Sequence, residues 1–219
     1  MPLAYYSTWN NPFRSSSYRK RLLDKPMPHS PTLTPLAVAA LALLAEGPTH
    51  PYEMYQTLVL RSEDRLVKVR PGSLYHTVDR LARQGLVRAT GTEREGNRPE
   101  RTTYEITEEG TQALGERVAD IIATPVNEFP EFPLGLGEAH NLPLETVIDL
   151  LRNRVGLMRA DIALLDDGIH RVRAKGLPEK YWLDVRYLRT TAEAEAAALE
   201  ALIDDLASGV ISWDEEKTH

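Results

Sequence analysis

Val69 to Thr107 reads VRPGSLYHTVDRLARQGLVRATGTEREGNRPERTTYEIT, a helical pattern followed by a hairpin pattern. Leu74, Val78 and Leu81 recur at i, i+4 and i+7, which sets one apolar stripe on a helix opened by Pro71-Gly72-Ser73. The opposite face is then expected to carry Ser73, His76, Thr77, Arg80 and Gln84, short polar groups and an arginine suited to base edges and phosphates. Gly85 is a left-handed helix stop. Leu86 to Arg94 and Arg101 to Thr107 read as strands flanking Glu95-Gly96-Asn97-Arg98-Pro99-Glu100, which has turn chemistry throughout. A helix followed by a hairpin bearing Arg94, Arg98 and Arg101 suits a protein that places one element in a DNA major groove and leans a second on the backbone or minor groove. A solvated hairpin rim has the same composition, so this stretch alone fits any basic surface.

Working outward, Thr34-Pro35 is an N-cap with proline at the first helical position. Leu36, Ala37, Ala40, Leu41 and Leu44 follow at helical spacing until Gly47-Pro48. That helix is apolar nearly all round and should be buried. Thr49 or His50 can cap the next helix, whose inward stripe is read as Tyr52, Tyr55, Leu58 and Val59. Lys68 and Arg70 lie just ahead of the Pro71 helix, a natural position for phosphate contact. Thr107 caps a fourth helix running to about Ala123 and carrying Leu114, Val118, Ile121 and Ile122. Three helices, a hairpin and a closing helix make a winged helix-turn-helix over residues 33–124. Residues 1–32, with the Arg19, Lys20, Arg21 cluster, read as a flexible extension.

Pro125 to Asn141, PVNEFPEFPLGLGEAHN, has the prolines and glycines of a boundary, and residues 125–142 read as a linker. Its Phe129 and Phe132, with Trp182 further on, are candidates for an effector pocket, against the plainer use of packing on adjacent helices. Next come Leu144, Ile148, Leu151, Val155, Met158, Ile162, Leu165, Ile169 and Val172, alternately four and three residues apart. This heptad seam needs a partner helix. One candidate is the final helix, from Pro178 to about Ala207; the other is the same helix of a second chain. Two long helices without a third layer bury little, so residues 143–208 are expected to form a homodimerisation domain, with 209–219 a tail. The fold class is mainly α with a small β-hairpin wing.

Net charge is −6 over 219 residues, but its distribution is uneven. Through Tyr104 there are 15 Lys/Arg and 9 Asp/Glu, net +6; the remainder holds 11 and 23, net −12. The split suggests that the basic half faces a polyanion and the acidic half has another task, against the plainer reading of charge drift between two solvated surfaces. The absence of cysteine excludes disulfides and thiolate chemistry and agrees with a reducing, cytoplasmic setting. No apolar run is long enough to span a membrane. The histidines form no metal-ligand spacing, and neither a phosphate-cradling glycine loop nor a nucleophile elbow occurs. An enzyme, a metal site and a cofactor are therefore not expected.

The order LTPLAVAALALLAEGPTHPYEMYQTL, then VRPGSLYHTVDRLARQGLV, then NRPERTTYEITEEG, then a proline-interrupted link and two long helices resembles the PadR family of bacterial transcriptional regulators. The resemblance runs from about Leu33 to Ala207. It implies a dimeric repressor of double-stranded DNA whose winged helices read a pseudo-palindromic operator, with release by small molecules in many relatives. It points to Ser73, Tyr75, His76 and Arg80 on the recognition helix and to Asn97, Arg98, Arg101 and Tyr104 in the wing. Glu93, Glu95 and Glu100 depart from the more basic wing tip usual in the family. The alternative is a winged helix that docks protein instead of DNA, with the acidic helices as its assembly element.

Overall fold

The computed structural model describes residues 33–93 and 101–213 and resolves the chain into two compact units that divide between Asn127 and Glu128. It is mainly helical, with a two-stranded antiparallel hairpin after the first three helices and two long helices packed together at the end.

In the first unit, α1 (Pro35–Glu46) starts where the sequence places it: the Thr34 hydroxyl accepts from the Ala37 N–H at 3.3 Å. Leu36, Ala37, Ala40, Leu41, Leu43 and Leu44 are all buried, as an all-round apolar helix requires. His50 caps α2 (Pro51–Leu60), its Nδ1 accepting from the Tyr52 N–H at 3.1 Å. The inward stripe of α2 differs from expectation. Pro51, Met54 and Leu58 are buried, Tyr55 is half-buried, and Tyr52 and Val59 face outward. The i, i+3, i+7 row of Pro51, Met54 and Leu58 faces the shared core of the first unit and leaves the neighbouring Tyr52 and Val59 at the rim.

Helix α3 (Pro71–Arg83) packs Leu74, Val78 and Leu81 into the core with no exposed surface. It ends in paired bonds from Gly85 N–H to the Ala82 carbonyl and from Leu86 N–H to the Leu81 carbonyl, with Gly85 at φ 73. That is the Schellman arrangement, and glycine supplies its left-handed residue without Cβ strain. Strand β1 (Val87–Glu93) pairs with β2 (Arg101–Ile106) from Val87 opposite Ile106 to Glu93 opposite Arg101, with an irregularity between Ala89 and Gly91. Thr49 and Tyr104 exchange both backbone bonds at 3.0 Å, so the segment entering α2 is stitched to the hairpin.

Helix α4 (Glu108–Ala123) is capped by the Thr107 hydroxyl, which accepts from Gly110 N–H at 3.0 Å and donates to the Gly85 carbonyl at 2.8 Å. Only Gly110 and Leu114 of α4 are buried, and Val118, Ile121 and Ile122 face outward.

The second unit begins inside what the sequence presents as a plain linker. Residues 131–137 form a short helix, α5 (Glu131–Gly137), and a 3-10 turn follows over Ala139–Asn141. Ala139, Phe132 and Leu136 pack against the long helices, so part of the 125–142 segment belongs to their core. The tail is also engaged: Ile211 and Trp213 join that core, and the Trp213 indole N–H donates to the Leu142 carbonyl at 3.0 Å.

Helix α6 (Leu144–Ala174) and helix α7 (Leu183–Ala207) form an antiparallel hairpin through a turn containing Glu179–Tyr181. Here the expected dimer seam is corrected. Ile148, Leu151, Val155, Ile162, Leu165 and Ile169 are buried, and Leu144, Met158 and Val172 half-buried, within a single chain. Ala196, Leu199, Ile203 and Leu206 of α7 are buried with them. The seam found its partner in cis, so the residues read as dimerisation contacts are the hairpin core.

Acidic residues of this half are partly neutralised across the same seam. Arg159 bonds Glu193 and Glu200 through its guanidinium, and Arg189 bonds Asp166 and reaches Glu193. Hydrogen bonding, to Glu193 and then Glu200 for Arg159 and to Asp166 for Arg189, raises both guanidinium pKa values, so both stay charged. Among the described residues no helix is long and apolar enough to cross a membrane.

Candidate nucleic-acid interface

The core stripe fixes which side of α3 looks outward. Ser73, Tyr75, His76, Asp79 and Arg83 are exposed on it. Ahead of its N-terminus Arg65, Lys68 and Arg70 are also exposed. Pro71 leads the first turn, and Arg70 at the cap position makes no side-chain cap bond, so the unpaired N–H groups of that turn lie beside these cations. The result is a short polar helix face whose open end attracts anions, the arrangement that phosphate oxygens match.

Thr77 does not belong to that face. It is buried, and its hydroxyl donates to the Ser73 carbonyl at 2.8 Å, the i−4 bond by which a threonine satisfies itself inside a helix. With Leu74 and Val78 on either side, Thr77 completes the core stripe and has no hydroxyl to offer a base. Arg80 is half-buried, with Nη2 donating to the exposed Thr34 hydroxyl at 3.1 Å. It joins the start of α1 to α3 through one of its five guanidinium donors.

Tyr75 is 40% exposed, and its ring meets His50 edge-on, with centroids 5.7 Å apart at 75°. Tyr104 packs its ring on the core beside α1 and is half-buried. Burial, and after it the Asp79 carboxylate, raises the Tyr104 phenol above its ordinary pKa of 10.0, so its hydroxyl stays a neutral donor. Arg88 pairs with Glu105 directly opposite on the hairpin, which neutralises the cation at the base of the wing. Of the wing positions expected from the sequence, Arg94, Asn97 and Arg98 lie outside the described residues; Arg101 is placed by its backbone, opposite Glu93.

Sequence reasoning passed over Arg65 and His50 as site residues. Arg65 was legible as the first of three cations at positions 65, 68 and 70, but it stood in a mixed polar run. His50 was legible only as a cap.

The three aromatic candidates for an effector pocket do not converge. Phe129 is 81% exposed. Phe132 lies under the Arg154 guanidinium, 3.6 Å from the ring centroid, and that guanidinium also bonds Glu195. Trp182 is buried in the turn between α6 and α7, its indole N–H donating to the Leu177 carbonyl at 3.2 Å and Arg173 over its ring. Arg154 and Arg173 are separated by roughly 28 Å along α6 at about 1.5 Å per residue. Phe132 and Trp182 therefore serve opposite ends of the hairpin as packing. Among the described residues no cluster of three or more His, Asp or Glu is arranged to hold a metal ion.

Residues 40–116 match the model of the transcriptional regulator PadR-like family. That segment is similar to the family. The matched span holds α3, the hairpin and the first half of α4 of this PadR-like chain, and the family is one of regulators, not enzymes. Bacillus subtilis PadR, solved in complex with operator DNA, superposes with a TM-score of 0.66 at 19% identity, covering 78% of this chain and 97% of that one. The same protein in complex with p-coumaric acid gives 0.63 at 18% identity, covering 78% and 98%. The PadR-like regulator BC1756 of Bacillus cereus gives 0.57 at 17%, covering 79% and 98%. These likenesses establish the fold of the PadR-like chain through both units. No curated protein matches the sequence.

Proposed function

We propose that this PadR-like chain is a homodimeric transcriptional repressor that inserts α3 into successive major grooves of a pseudo-palindromic operator. The observation that carries the reading is the outward row of Ser73, Tyr75 and His76 on α3, with exposed Lys68 and Arg70 at its open N-terminal end. Base-edge groups sit along the helix and cations stand where phosphates flank a groove. The Bacillus subtilis PadR solved with operator DNA supports the same target. Its complex with p-coumaric acid supports a small organic effector that lowers DNA affinity, held elsewhere than at Phe129, Phe132 and Trp182.

The partner face is a second stripe on α6. Leu150, Leu157 and Leu164, seven residues apart, are 55%, 64% and 59% exposed. They lie roughly 130° around the helix from the covered seam, at about 100° per residue. Exposed leucines at heptad spacing match the same stripe of a second copy in an isologous pairing. Two copies joined there can present two α3 helices to one duplex.

The test is a salt titration of binding to the duplex immediately upstream of the chain's own gene. Lys68→Ala combined with Arg70→Ala should weaken binding to every duplex alike and flatten the slope of log affinity against log salt by about 2, close to 0.9 for each phosphate contact removed. An unchanged slope would remove these residues from the interface. Absence of binding by the unaltered chain to that duplex and to genomic fragments at low salt would instead favour the protein-docking alternative.

A further inference from the structure

His50 stands where three parts of the reading head meet. Its Nδ1 accepts from the Tyr52 N–H at 3.1 Å and caps α2. The edge-on contact of its ring, 7% exposed, supports Tyr75 of α3. Its chain neighbour Thr49 exchanges two backbone bonds with Tyr104 of the hairpin. One residue thus joins the helix before the turn, the recognition helix and the root of the wing.

The cap and the support of Tyr75 are chemically separate uses of the ring. The cap needs only an acceptor at the position of Nδ1, which asparagine also offers. The support of Tyr75 needs a flat aromatic edge, which phenylalanine also offers. A histidine is the one side chain here that supplies both. Tyr75 is exposed on the outward face, so a tyrosine free to change rotamer would bring its hydroxyl to a phosphate or base edge in many positions, whereas one braced by a buried ring offers it in one.

We infer that His50 is a positioning residue for DNA recognition, holding the Tyr75 side chain in the orientation in which it meets the duplex. The inference rests on the reading of α3 as the DNA-facing helix. It assigns His50 no contact with DNA.

Melting temperature and affinity for the upstream duplex are measured on the full chain and on His50→Asn, His50→Phe, Tyr75→Ala and the double variant His50→Asn/Tyr75→Ala. His50→Asn keeps the cap but loses the edge-to-face contact, so it should melt a few degrees lower and also lose about 3- to 10-fold in affinity. His50→Phe should melt lower and bind within about 2-fold, since the edge is kept and the cap lost. The double variant should bind no more weakly than Tyr75→Ala alone, because His50 acts through Tyr75. The inference is overturned if His50→Asn binds like the unaltered chain, or if affinity follows melting temperature across the set. Additive losses in the double variant overturn it as well. Failure of the unaltered chain to bind any duplex would overturn the functional reading together with this one, an outcome distinct from binding that ignores His50.

Discussion

Gly110→Ala lowers the melting temperature of the first unit by about 12 °C or more, which corresponds to about 3 kcal/mol, the upper part of the usual overpacking range. A Cβ at Gly110 would stand 2.0 Å from the Leu86 carbonyl oxygen, 2.9 Å from the carbon of that carbonyl and 2.9 Å from Ile106 Cγ1. The nearest obstacle is backbone, and it is pinned on both sides. The Leu86 carbonyl accepts from Thr107 N–H at 3.1 Å, and the Leu86 N–H closes the end of α3. Relief would require moving the first turn of α4 off the root of the hairpin, breaking the Thr107 cap as it went. A control separates this clash from a general effect of the substitution. Gly168→Ala, in α6 with nothing nearer than Arg171 Nη2 at 3.9 Å, should raise stability by about 1 kcal/mol through helix propensity. Calorimetry that found the two variants alike would remove the close approach at Gly110 from the account.

Leu157→Arg is expected to convert the dimer into a folded monomer and to weaken operator binding by about 100-fold or more, since the second half-site then loses its effective concentration. Leu157 is 64% exposed in one chain, so the charge costs the hairpin little and the helical signal should be retained. Ile162→Arg makes the contrast. Ile162 is 5% exposed in the seam between α6 and α7, and an unpaired guanidinium there would unfold the hairpin. Sedimentation together with circular dichroism distinguishes the two variants. A Leu157→Arg chain that still sedimented as a dimer would place the partner face elsewhere.

These two positions also mark how far the sequence could be read. The core stripe of α3, the Thr34 and Thr107 caps, the Gly85 stop and the strand bounds were legible because each is set by local spacing or backbone chemistry. Thr77 was misplaced because its polarity is satisfied by its own helix, at the Ser73 carbonyl, which a polar-face reading cannot see. The heptad of α6 was correctly seen as a seam, but periodicity names no partner. The decision between α7 and a second chain depends on turn geometry at Gly176 and Glu179–Tyr181. Once that seam is covered, Leu150, Leu157 and Leu164 become the informative leucines, and spacing alone had given them no priority. His50 and Gly110 matter through contacts with Tyr75 and Leu86, residues 25 and 24 positions away along the chain, beyond any local signal. The effector trio failed for a similar reason, since three scattered aromatics share a composition without sharing a place.

Hydroxyl-radical footprinting of the unaltered chain on its upstream DNA reads groove spacing and symmetry together. The expected result is two protected tracts related by a two-fold axis, with centres about 34 to 36 Å apart or a multiple of that spacing. A single tract with no symmetry mate, or saturable binding that protects no tract, would contradict a pair of α3 helices held at groove spacing by the α6 leucines.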